Sequence, residues 1–259
     1  MMNIIRADIF RLWRGKQILG VFALAALASA VLVVVFSVTG VGSGAANPDT
    51  PQLVLTGATS PNMLNSFIWL FLMITVPVFT IVTGPIFTDG AVKNEVAWGI
   101  SRTKLYVSRM IVCAVLCVLL LLTYKGVGMG MATILEGFGY VPPGYWSNLL
   151  LSLAAQSFIM VAACMFGILL VFTVKNPFVV VELYAGVIIF PAIVAMILGG
   201  ANIDISQIMY FDLTTNLVLF GDIGSMTSRN ILLALATGAA WFIIPTIIGL
   251  AKFQRKEIK

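Results

Sequence analysis

Histidine is absent from this chain, charged residues make up only 10% of it, and cysteine occurs three times in 259 residues. Each shortage excludes something. Without histidine there is no imidazole for general-base work or metal ligation. Cys113 and Cys117 stand one helical turn apart in one apolar run, and Cys164 stands in another. Thiols in such settings act as small hydrophobes, and no carboxylate cluster accompanies them to hold a metal. The phosphate-binding Gly-x-x-x-x-Gly-Lys-Ser/Thr loop and the Gly-x-Ser-x-Gly nucleophile elbow are both missing. No aspartate falls well inside an apolar run, so a membrane-embedded aspartyl pair is excluded as well. These residue types do not support an enzyme. Soluble domains carry roughly a quarter charged residues. With 60% hydrophobic residues and a mean hydropathy of +1.06, the class that fits is a polytopic membrane protein.

Crossing a bilayer takes about 20 mostly apolar residues. Six segments qualify: Ile18–Val41, Phe67–Phe87, Leu105–Leu135, Leu149–Val174, Phe178–Leu198 and Ile231–Leu250. Lipid offers no partners to backbone groups, so these segments are expected to be helices, and the alternation of a membrane barrel is absent. The chain reads as a single all-α domain over residues 1–259.

Basic residues give the orientation. Arg6, Arg11, Arg14 and Lys16 precede span one; Lys93, Arg102, Lys104 and Arg109 follow span two; Lys175 follows span four; Lys252, Arg255, Lys256 and Lys259 follow span six. With six spans these regions share one side, and they hold 13 of the 15 basic residues. Both termini are therefore expected in the cytoplasm. Asp49, Glu136, Asp204, Asp212 and Asp222 fall on the other side, where Arg229 is the lone cation. Basicity here is a topology signal, and no nucleic-acid partner is implied. Ala28-Ser29-Ala30 resembles a signal-peptidase site, but the apolar run continues to Val38, so an uncleaved span is expected.

Within residues 1–16, Ile5, Ile9, Leu12 and Trp13 share one helical face, with Arg6, Arg11 and Arg14 largely opposite. This pattern predicts an amphipathic helix in the membrane interface, or simply a basic anchor. Residues 42–65 are rich in turn formers and predict an external loop. Pro77, Pro191 and Pro245 interrupt spans two, five and six, and Gly126 and Gly130 form a small-xxx-small pair for close helix approach. Residues 199–229 alternate apolar residues with Asp204, Asp212 and Asp222, which predicts an interfacial or re-entrant segment, or else a partly buried loop.

Two ionisable groups fall inside spans, Lys125 and Glu182, and such residues are costly in hydrocarbon. Lys125 is placed about 24 Å along its helix from Arg109, where snorkelling to headgroups is expected. Glu182 lies near the opposite end, facing water or capping Lys175.

The charged island between spans two and three is the most informative segment. Over residues 88–104 it has its own helical pattern, with Val92, Val96 and Ile100 at four-residue spacing and Asp89, Lys93 and Glu95 on polar faces. Gly99 permits a break, after which Ser101 caps a new helix running through Arg102. A tight turn would have sufficed; compare the connection Val174-Lys-Asn-Pro177.

The run Asp89-Gly90-x-x-Lys93-Asn94-x-x-x-x-Gly99-Ile-Ser101-Arg102-Thr-Lys104, leading to Arg109, resembles the corresponding stretch of membrane subunits of type-2 ABC exporters. The resemblance extends to the N-terminal helix, six spans, the segment before the last span and the ending Lys252-Phe-Gln-Arg-Lys-Glu-Ile258, and is nearest to the small permeases of lantibiotic immunity and bacitracin resistance. It implies a coupling helix, about Asp89–Ile100, docked on a separate cytoplasmic ATPase present in two copies, which would bind the ATP and Mg. Its contacts would come from Asp89, Gly90, Lys93, Asn94, Glu95, Val96, Gly99 and Arg102. A second permease, identical or paralogous, would complete the pathway in a bacterial plasma membrane. Spans two and five would line that route, through Trp69, Met73, Phe79, Tyr184 and Phe190, for an amphipathic peptide, antibiotic or lipid-like cargo. Two other classes share many of these features: an ATP-independent secondary transporter or channel, and a membrane scaffold or sensor component.

Overall fold

The computed structural model describes residues 2–39, 55–84, 99–174, 176–200 and 211–255, apart from a few side chains within them, among them that of Trp69. These residues are almost entirely helical, with no strand among them. In chain order the helices are α1 (Met2–Arg14), α2 (Gln17–Thr39), α3 (Ser60–Asn65), α4 (Ile68–Thr83), α5 (Arg102–Glu136), α6 (Tyr145–Thr173), α7 (Pro177–Gly200), α8 (Leu213–Leu219) and α9 (Ser228–Arg255), with a 3₁₀ turn over Phe220–Ser225. Four helices, α2, α5, α6 and α9, are long and apolar enough to cross a membrane. The expected second and fifth spans correspond to α4 and to the apolar stretch Pro177–Pro191 of α7, both shorter. Helices α4, α7 and α9 run unbroken through Pro77, Pro191 and Pro245.

α6 is the centre of the bundle, packed against α4, α5, α7, α8 and α9. More than half of the apolar windows of α5 and α6 is buried, against about a quarter in α2 and α9. Apolar burial inside the bundle goes to α5 and α6, while Leu24, Leu27, Leu232, Ile243 and Ile247 of α2 and α9 face outward. That outward apolar surface suits lipid.

Close helix approach occurs at a different glycine from those expected. Gly126 and Gly130 have open space around them, whereas a side chain at Gly128 would run into Leu64 and Ser29. Gly128, two residues from each member of the anticipated pair, faces the partner helices, and its missing Cβ lets α2 and α3 sit directly on α5. Ser29 Oγ donates to the Tyr124 carbonyl at 2.5 Å across that contact.

The loop expected over 42–65 is organised at its described end. Gly57 and Ala58 donate their amides to the carbonyls of Gly137 and Phe138, at 3.0 and 2.9 Å. Pro61 then sits in the first turn of α3, where its lack of an N–H costs nothing. In the 199–229 segment, Asp212 caps α8 by accepting from the Thr215 amide at 2.9 Å, and Leu213, Leu217 and Phe220 are buried beneath it. Part of this segment thus forms a capped short helix lying on the bundle; residues 201–210 lie outside the described set.

Candidate functional site

Two polar assemblies stand on α5, one near its start and one in its second half. The first surrounds the connection between α4 and α5. Asp8 of α1 is buried and forms an ion pair with Arg109 of α5, whose side chain is fully buried. Arg11, one turn on, donates to the Val82 carbonyl near the end of α4 at 3.1 Å and stands 3.9 Å from Asp8. α1 therefore grips both the last turn before the 85–98 segment and the second turn after it. Such burial is expensive unless the charges are paired, so this geometry fixes α1 against α4 and α5.

The far side of the same connection is held by the end of α9. Ser101 caps α5, accepting from the Lys104 amide, as its position predicts. Gly99 supplies the left-handed turn before it, at φ +80°, which a side chain would oppose. Arg102 donates to the Gln254 and Phe253 carbonyls at 2.9 and 3.4 Å, satisfying carbonyls at the C-terminus of α9, and Gln254 donates back to Thr103 at 3.1 Å. Tyr106 packs edge-on against Phe172, with Phe253 next to both rings. Of the residues expected to meet a partner, Arg102 is thus engaged within its own chain. Asp89, Gly90, Lys93, Asn94, Glu95 and Val96 lie outside the described residues.

The second assembly lies about 24 Å along α5. The buried Lys125 ammonium donates to the Pro61 carbonyl at 2.6 Å and to Asn65 Oδ1. Gln156 of α6, also buried, donates to the same Asn65 oxygen and to the Leu217 carbonyl, each at 2.9 Å. Asn65 of α3 thereby joins α5 and α6, Gln156 extends the link to α8, and Gly221 leaves room for the Asn65 amide. The expectation that Lys125 snorkels to headgroups is overturned, because carbonyl oxygen is available inside the bundle and the amine turns inward to it. Glu182, by contrast, is exposed on α7, beside the exposed Val181 and Leu183.

The aromatic residues proposed for a substrate route divide. Phe79 and Tyr184 are fully buried, 5.0 Å apart, and Tyr184 shares a hydrogen bond with Thr75 at 2.9 Å. Gly167 of α6 lies directly against the Phe79 ring. These two side chains pack α4, α6 and α7 together in the core of this chain. Phe190 is exposed and Met73 half-buried. The three cysteines are buried and free, and no three of the described Cys, Asp and Glu residues gather to hold a metal.

Models of known protein families do not match this chain, and neither do characterised proteins. Its reading rests on its own residues.

Sequence reasoning missed Asp8 and Gln156. Asp8 and Leu12, four residues apart, lie about 40° apart around the helix, which puts a carboxylate at the edge of the apolar face. That placement was a usable signal for a buried partner. Gln156 is an uncharged polar residue in the middle of an apolar run, and a search confined to ionisable groups passes over it.

Proposed function

We propose that this chain is the membrane permease subunit of an ATP-driven ABC exporter, carrying an amphipathic peptide, antibiotic or lipid-like substrate. In this reading α4 and α7 complete six spans, both termini are cytoplasmic, and the membrane is a bacterial plasma membrane. ATP and Mg are bound by a separate ATPase subunit, two copies per transporter, and a second permease supplies the other half of the pathway. The observation that carries the reading is the clamp around residues 85–98: a buried ion pair, a helix-end contact from Arg11 and the Arg102 contacts to α9 hold both ends of one charged connection. A passive loop needs none of these. A connection that must transmit a push needs rigid abutments, and α1 and α9 supply them.

Purification in mild detergent from the native membrane, with mass spectrometry of what accompanies the chain, tests this. A stoichiometric P-loop ATPase supports the exporter; a chain recovered alone, while other complexes survive, contradicts it.

One observation favours a second reading, an ATP-independent secondary transporter: Lys125 is buried in the bundle among carbonyl and amide oxygens, as intramembrane groups on ion paths often are.

A further inference from the structure

A groove of about 690 Å³ runs along the first half of α9, lined by Arg229 and Asn230 at one end and by Phe211, Leu233, Ala240 and Trp241 beyond them. From Arg229 to Trp241 the helix rises about 18 Å, a little more than half of the roughly 30 Å hydrocarbon core. The groove is therefore one leaflet deep, with its polar end where α9 begins. Ala240, a small exposed residue, forms part of the floor, and Trp241, whose indole donates to the Phe211 carbonyl at 3.4 Å, helps make a wall.

Arg229 is exposed, and no hydrogen bond or ion pair joins its side chain to another of the described residues. Its position does not serve the helix, because a cation in the first turn opposes the helix dipole and no acidic residue stands there to offset it. Nearby carboxylates are occupied elsewhere. Asp212 accepts from Thr214 and Thr215, and Asp222 lines a separate crevice with Tyr145 and Ser152. The groove thus presents a cation and an amide to a headgroup, and an apolar, aromatic trough to a chain.

We propose that this groove binds an anionic phospholipid of the leaflet that meets the start of α9, with its phosphate on Arg229 and Asn230 and an acyl chain along Ala240 and Trp241. This rests on the membrane assignment and not on the exporter reading, so it stands or falls separately from ATPase partnership. The test is native mass spectrometry of the full chain in detergent, titrated with phosphatidylglycerol and with phosphatidylcholine of the same acyl chains. Wild-type protein binds the anionic lipid more tightly. Arg229→Gln weakens phosphatidylglycerol about fivefold, the worth of one cation near an anionic surface, and weakens phosphatidylcholine less, because its choline already offsets the phosphate charge. Ala240→Phe, which fills the trough with an outward-facing side chain, weakens both lipids. Unaltered phosphatidylglycerol binding in Arg229→Gln, or unaltered binding of both lipids in Ala240→Phe, overturns the proposal. So does a loss of anionic preference produced by Arg14→Gln with Lys16→Gln instead, which would place the lipid against α1.

Discussion

Asp8 and Arg109 meet in the interior of the bundle, a carboxylate from a helix that reads as surface-bound and a guanidinium from the base of α5. Because Arg11 reaches the Val82 carbonyl from the same helix, α1 acts as a brace spanning both ends of the connection between α4 and α5.

Removing one member of this pair leaves the other charge buried alone. Asp8→Ala is expected to cost about 3–5 kcal/mol, read as a drop in thermal unfolding temperature in detergent. The double variant Asp8→Ala with Arg109→Met removes both charges and recovers most of that loss. Equal instability in the single and double variants would show that the pair is not the source.

Asn65 accepts from both Lys125 and Gln156, so substitutions around it should not add. A double-mutant cycle of Lys125→Met and Asn65→Leu is expected to give a coupling of about 0.5–3 kcal/mol, as directly bonded residues do. The same unfolding assay reads it. Strict additivity would mean that the amine has no real partner in Asn65.

Tyr106 and Gly249 offer a steric test. A Cβ at Gly249 would stand 2.2 Å from the Tyr106 hydroxyl, which has no hydrogen-bond partner among the described residues. Gly249→Ala should cost about 1–3 kcal/mol by overpacking. Tyr106→Phe is expected to be close to neutral, since a buried hydroxyl without a partner contributes little, and should relieve part of the Gly249→Ala loss. A costly Tyr106→Phe would reveal a partner for the hydroxyl.

The hydropathy of α2, α5, α6 and α9 is legible in the sequence because lipid imposes long apolar runs, whatever the tertiary packing. The Ser101 cap is equally legible, being set by local backbone chemistry. Packing is less so. Phe79 and Phe190 look alike in a one-dimensional apolar run, yet one is fully buried and the other exposed, and only the bundle decides which. The Lys125 site escaped for the same reason. Its acceptors, Pro61 and Asn65, lie some sixty residues away in a stretch whose turn formers suggest a loop.

Topology provides a further check. With α4 and α7 as full spans, reporters fused at the N-terminus and at Lys259 should both report the cytoplasm, and one inserted near Gly44 should report the outside. Termini on opposite sides would reduce the number of spans to an odd one and remove the basis for the clamp's cytoplasmic placement.

The claim that everything else serves is that residues 88–104 grip a partner ATPase. Glu95 is the cleanest probe, since Arg102 is already committed to the carbonyls of α9. The decisive measurement is recovery of a P-loop ATPase with the chain from native membranes, for wild type and for Glu95→Lys at equal membrane expression. Stoichiometric ATPase with the wild type and its loss from Glu95→Lys is the expected result. ATPase retained equally by both, or by neither, would contradict the account.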